Sequence, residues 1–121
     1  MLLHIVLFNF REGFNWSSQE AIDAEQSTKD HPNHIEQIKG WLCSRNVSTR
    51  TIAADFMVLG IFKNMGDIQN YLKHPNHQEG VDKWKTVADW QIIDIDMNDE
   101  ATYALELMST FKSLLVKNHN L

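Results

Sequence analysis

Apolar side chains stand on both parities of the first ten residues. Leu3, Ile5 and Leu7 fall on one side of an extended chain, and His4, Val6, Phe8 and Phe10 on the other, which predicts a strand over 2–10. A weaker helical period follows. Ser17 or Ser18 caps it, Glu20 lies in its first turn, and Ala21, Ile22, Ala24, Glu25 and Thr28 carry it to about Lys29. Pro32 then ends or redirects the chain. Residues 38–47 read as a second strand with Gly40 as a bulge, 46–54 as a polar turn, and 55–63 as a third strand. Gly66 or Asp67 opens a helix that runs from Ile68 to Lys73 and is stopped by His74-Pro75. Pro75 suits the first position of a further helix reaching about Val87, because proline there forfeits no needed hydrogen bond. Trp90 to Met97 is the fourth strand.

The order βαββαβ predicts an α+β, ferredoxin-like plait, in which an antiparallel sheet carries its helices on one face. The third strand repeats the two-sided pattern of the first, with Met57, Leu59 and Ile61 opposing Phe56, Val58 and Phe62. Helices cover only one face of such a sheet, so the second apolar face needs another cover. The same sheet from a second subunit would provide it, giving a homodimer shaped as a barrel. We expect two segments: 1–97, the plait, and 98–121, an amphipathic C-terminal helix and tail. In the latter Ala101, Ala104, Leu105, Met108, Phe111 and Leu115 recur at helical spacing.

Composition narrows the function. The chain has 121 residues, 43% hydrophobic and 22% charged, which describes one globular domain. A net charge of -5 without a basic stripe argues against nucleic acid as a partner. No apolar stretch approaches the ~20 residues that span a bilayer, so no membrane partner is expected. The opening apolar run contains His4 and reads as a strand and not as a leader. One cysteine, Cys43, cannot form an intrachain disulfide, and a cytoplasmic, reducing location is expected.

Proton-moving groups gather at Tyr71-Leu72-Lys73-His74-Pro75-Asn76-His77. Imidazole exchanges protons near neutrality and a phenol donates to an oxyanion, so this segment and His4 form the candidate site. The tetrapeptide His-Pro-Asn-His occurs at 31–34 and again at 74–77. The first copy reads as an independent capping turn and the repeat as chance. Each His-x-x-His pair straddles a proline and lacks further ligands, so no metal and no cofactor is expected. His74 doubles as the natural cap of the helix that Pro75 opens.

Several segments together resemble the stress-responsive α/β-barrel, or Dabb, family. They are Leu-His-Ile-Val-Leu-Phe at 3–8, Arg45-Asn46-Val47, Phe56-Met-Val-Leu-Gly-Ile-Phe62, Tyr71-x-x-His74-Pro75-x-His77 and Ile92-Ile-Asp-Ile95. The likeness spans about residues 2–97. It implies a dimeric α/β barrel, and it includes both a plant stress protein and a plant polyketide cyclase that closes a ring by aldol condensation. Carried over from the cyclase, the catalytic roles fall on His77 and Tyr71. The cavity lining falls on His4, Val6, Phe8, Phe56, Val58 and His74, with Phe56 standing where the cyclase has a further histidine. The leading expectation is therefore a homodimer whose lumen holds a small, largely apolar molecule, its activity unassigned. An aldol-type cyclase or lyase using His77 and Tyr71 is one alternative. A cofactor-independent monooxygenase of the same barrel superfamily is another.

Overall fold

β1 (Leu2–Phe10) runs through the middle of a four-stranded antiparallel sheet, paired with β3 (Phe56–Phe62) on one side and β4 (Ala88–Asp96) on the other. β2 (Gly40–Arg45) pairs with the far edge of β3, so the strand order is β2-β3-β1-β4, that of a ferredoxin-like plait. The computed structural model of the chain describes residues 1–97 together with Glu106, Ser109, Thr110 and Ser113. The C-terminal stripe expected over 98–121 otherwise lies outside the described residues. Among the described residues no helix is long and apolar enough to cross a membrane.

Three helices and a short 3-10 turn connect the strands: α1 (Gln19–Asp30), the turn His31–Asn33, α2 (Met65–Lys73) and α3 (Pro75–Val87). Their ends follow side-chain chemistry. Asn64 Oδ1 accepts the Asp67 backbone N–H at 2.9 Å and starts α2 one turn earlier than its apolar period predicts. His74 ends α2 and caps α3, its Nδ1 accepting the Asn76 N–H at 3.1 Å, with Pro75 in the first helical position as expected. Ser18 occupies the N-cap of α1 without a side-chain cap bond. Pro32 does not end the chain's coiling. It tightens α1 into the 3-10 turn, since proline tolerates the first positions of a helical turn.

Two strand expectations need correction. β2 is shorter than predicted, and Gly40 is no bulge, because it pairs in continuous register with Ile61. Its small size answers to that neighbour: a methyl on Gly40 would lie 3.1 Å from Ile61 Cδ1. β4 starts at Ala88, two residues before the predicted Trp90, because it continues straight out of α3 into pairing with Phe10.

The core lies between the sheet and the helices. His4, Val6 and Phe8 of β1 are buried there, while Leu3, Ile5 and Leu7 on the opposite parity are only partly covered. Trp84 of α3 stacks on Phe8 with ring centroids 4.1 Å apart and lies 5.4 Å from Phe56. Its Nε1–H donates to Thr28 Oγ1 at 2.7 Å, and Trp41 Nε1–H donates to the Thr28 carbonyl at 3.1 Å, so one threonine on α1 holds both indoles. Among the described residues no element covers the second face, which is apolar. Ile93 and Ile95 are 47% and 39% exposed there, in register with Ile5 and Leu3.

Candidate functional site

The register of β1 builds the site floor. His4 lies opposite Gly60 on β3 and Asp94 on β4, Val6 opposite Val58 and Ile92, and Phe8 opposite Phe56 and Trp90. Above this row, α2 ends and α3 begins at the His74-Pro75 break, which lowers Tyr71 and His77 toward the sheet. The result is a cavity of about 100 Å³ lined by His4, Val6, Val58, Tyr71, His77 and Trp84, among others. Tyr71 is 3% exposed, its ring 4.3 Å from that of His77 and 5.7 Å from that of His4.

Hydrogen bonds fix the chemistry of these rings. His4 Nδ1–H donates to Asp94 Oδ1 at 2.6 Å, so a carboxylate orients the imidazole. His77 Nδ1 lies 3.1 Å from the Leu72 carbonyl. A carbonyl only accepts, so Nδ1 holds the proton and Nε2 keeps the lone pair. Burial pushes His77 down to about 4, more than the Leu72 bond raises it, so the ring is neutral at pH 7. Burial likewise pushes the Tyr71 phenol up, keeping it protonated. Its hydroxyl has no hydrogen-bond partner among the described residues. The site thus presents a protonated phenol beside a neutral, tautomer-fixed imidazole.

Of the residues expected at the site, His4, Val6, Phe8, Val58, Tyr71 and His77 line this one cavity. Phe56 and His74 do not. Phe56 sits at the far end of its strand, packed against Trp84 and Trp16 and sealed at 1% exposure. His74 spends its ring nitrogen on the Asn76 N–H as a helix cap. Two participants escaped the sequence reading. Asp94 shares the parity of Ile92 in β4, and a carboxylate set between Ile93 and Ile95 was the available signal, its partner His4 being fixed only by the strand register. His31 was read as part of a chance repeat, and that reading is corrected here. It is 3% exposed, lines the cavity, and bonds through Nδ1 to Asn76 Oδ1 of the second copy at 2.6 Å.

The stress-responsive A/B barrel domain model matches residues 2–99. The chain belongs to the Dabb family. An uncharacterized protein of Streptomyces coelicolor is 31% identical over 96 residues, covering 79% of this chain and 99% of that one. Among solved structures, a dimeric Bacteroides fragilis protein of ferredoxin-like fold has a TM-score of 0.66 at 21% identity, covering 78% of this chain and 94% of that one. The hydroxynitrile lyase of Passiflora edulis also has a TM-score of 0.66, at 12% identity, covering 78% of this chain and 90% of that one. Both likenesses concern the fold.

In this Dabb chain the arrangement can hold a ligand between aromatic walls and address one polar group of it through Tyr71 or His77. Among the described residues no group of three or more His, Cys, Asp or Glu is placed to hold a metal ion. Cys43 is no nucleophile either, since burial pushes its thiol up to about 12.

Proposed function

We propose that this Dabb chain pairs through its open sheet face into a homodimeric barrel, and that each subunit's cavity binds a small, largely apolar molecule oriented by Tyr71, His77 and His4. The observation that carries the reading is the meeting of those three polar groups, contributed by β1, α2 and α3, on one cavity whose walls are mostly apolar. Pairing is supported by the partly covered Leu3 and Ile5 and the exposed Ile93 and Ile95, which stand in register on one sheet face as an apolar row. The dimeric state of the Bacteroides fragilis protein adds to this support. A single cysteine, which has no intrachain partner for a disulfide, fits a reducing, cytoplasmic setting.

A second reading, a lyase or aldol-type cyclase, draws on the same pair of groups. His77 Nε2 would take a proton beside a carbonyl while Tyr71 holds the developing oxyanion. The likeness to the Passiflora edulis lyase favours it. A conjugate acid near 4 weighs against it, because a general base works best with a pKa close to the operating pH. Binding is therefore the reading we prefer.

The test is a fragment screen by NMR on the full chain, with sedimentation of the same samples. The proposal expects a dimer at micromolar concentration burying at least ~1,200 Å². It also expects fragments whose contacts map to Tyr71, His77 and Trp84. His77→Ala and Tyr71→Phe should weaken them while leaving the fold intact. A monomer, or fragments that leave those resonances unmoved, would overturn it.

A further inference from the structure

The two His-Pro-Asn-His segments meet in space. His31 of the first bonds to Asn76 of the second, and its ring centroid lies 5.8 Å from that of His77. The position is built. The Cε1–Nε2 edge of His31 lies over the bare backbone of Gly80, where a methyl would approach both atoms to 2.9 Å. A glycine in mid-helix costs stability, and here it makes room for a ring. Gly80 itself lines the cavity.

Both rings are tied by Nδ1 to oxygens, His31 to Asn76 Oδ1 and His77 to the Leu72 carbonyl. Oxygen accepts, so both Nδ1 atoms are protonated and both Nε2 atoms carry lone pairs. Neither Nε2 has a hydrogen bond among the described residues, yet no buried side-chain nitrogen or oxygen is sealed without one, so neither Nε2 is fully enclosed, and both rings line the cavity. Besides the polar groups of His4, Thr28 and Tyr71, the rest of the wall is aromatic and aliphatic, with Phe8, Trp84, Trp90, Val58 and Ile92 prominent.

We propose that His31 Nε2 and His77 Nε2 form an acceptor pair that selects small flat arenes bearing O–H or N–H donors over isosteric hydrocarbons and over compounds that only accept. The inference rests on the binding reading above and adds the ligand's chemical class. Burial keeps both imidazoles neutral at pH 7, so the pair offers two lone pairs and no cation. A bound arene without donors would leave both nitrogens desolvated and unpaired, which disfavours it.

The experiment titrates the full-length protein by NMR with three probes of similar shape. Resorcinol donates, 1,3-dimethoxybenzene only accepts, and m-xylene does neither. The expected result is resorcinol binding about tenfold or more tighter than either analogue. His31→Leu should reduce resorcinol affinity about tenfold and leave m-xylene unaffected. Equal or tighter binding of m-xylene or the diether overturns the acceptor pair while leaving the cavity reading intact. Binding by none of the three overturns the cavity reading and the inference with it. Long-range proton–nitrogen correlation on the wild type gives a check that needs no variant. Unprotonated Nε2 is expected at His31 and His77, and a proton on His31 Nε2 would overturn the proposal.

Discussion

Gly80→Ala should destabilise this protein, although glycine to alanine in a helix interior ordinarily stabilises by about 1 kcal/mol. The new methyl would lie 2.9 Å from both Cε1 and Nε2 of His31. That ring cannot easily retreat. It is held by Asn76 at 2.6 Å and stands among the rings of Trp41, Tyr71 and His77 at 6.0, 6.5 and 5.8 Å. Overpacking of this kind costs about 1–3 kcal/mol, and loss of the Asn76 bond adds about 1 more. Set against the propensity gain, the net loss is about 1–3 kcal/mol. The sign should reverse once the obstacle is removed. On a His31→Ala background the same methyl keeps only the Ser27 hydroxyl as a close neighbour, at 3.3 Å, which a rotation of that short side chain relieves, and Gly80→Ala should recover up to about 1 kcal/mol. The coupling between the two sites is then about 2–4 kcal/mol, well above what non-contacting residues show. Urea denaturation of the four variants at one fixed protein concentration measures it, since dimerisation would otherwise shift the midpoints. Gly80→Ala raising the midpoint of the wild type, or acting equally in both backgrounds, would refute the packing argument.

The sequence carried most of the plait, and the reason is local. β1 and β3 are dense in apolar, β-branched and aromatic residues on both parities, and Pro75 marks a helix start by its own covalent geometry. The boundaries that slipped depend on partners distant in sequence. Gly40 was read as a bulge from its backbone freedom, whereas its role is to clear the side chain of Ile61 across the sheet. The same distinction divides the site. Tyr71 and His77 stand six residues apart around a proline and were legible together. Asp94 becomes a partner of His4 only through the β1–β4 register, 90 residues away in sequence. Phe56 was placed in the cavity by its match to the cyclase's strand-three histidine, but here it packs against Trp16 and Trp84 at that end of the core and does not line the cavity. His31 needed the α1–α3 contact, which no periodicity within either helix encodes.

Three further outcomes are expected. Thr28→Val keeps shape but strips the acceptor from Trp84 Nε1–H, so it should cost about 1–3 kcal/mol by chemical denaturation, with little change if water replaces the hydroxyl. Glu25→Gln should also destabilise, because the nearly buried carboxylate takes both 2.7 Å bonds from Arg45; with that guanidinium half in water, about 1–2 kcal/mol is expected. Because Arg45 lowers the Glu25 pKa below its ordinary 4.5, this contribution is present above that pH and fades as pH falls through the lowered value. The last outcome concerns His77, whose burial lowers its pKa from 6.5 to about 4. Above 6.5 folded and unfolded chains both carry it neutral, so it contributes no pH dependence there. Between 6.5 and about 4 only the unfolded chain takes up the proton, so stability must fall as the pH drops through that window. The size is at most about 3–4 kcal/mol, since each pKa unit corresponds to about 1.4. Stability of the wild type and of His77→Phe, measured from pH 7.5 to 4.5, isolates this contribution. The wild-type curve should drop more steeply below 6.5. Parallel curves, or a His77 titration near 6.5 by NMR, would mean the ring meets solvent, and the neutral acceptor on which ligand recognition depends would be lost.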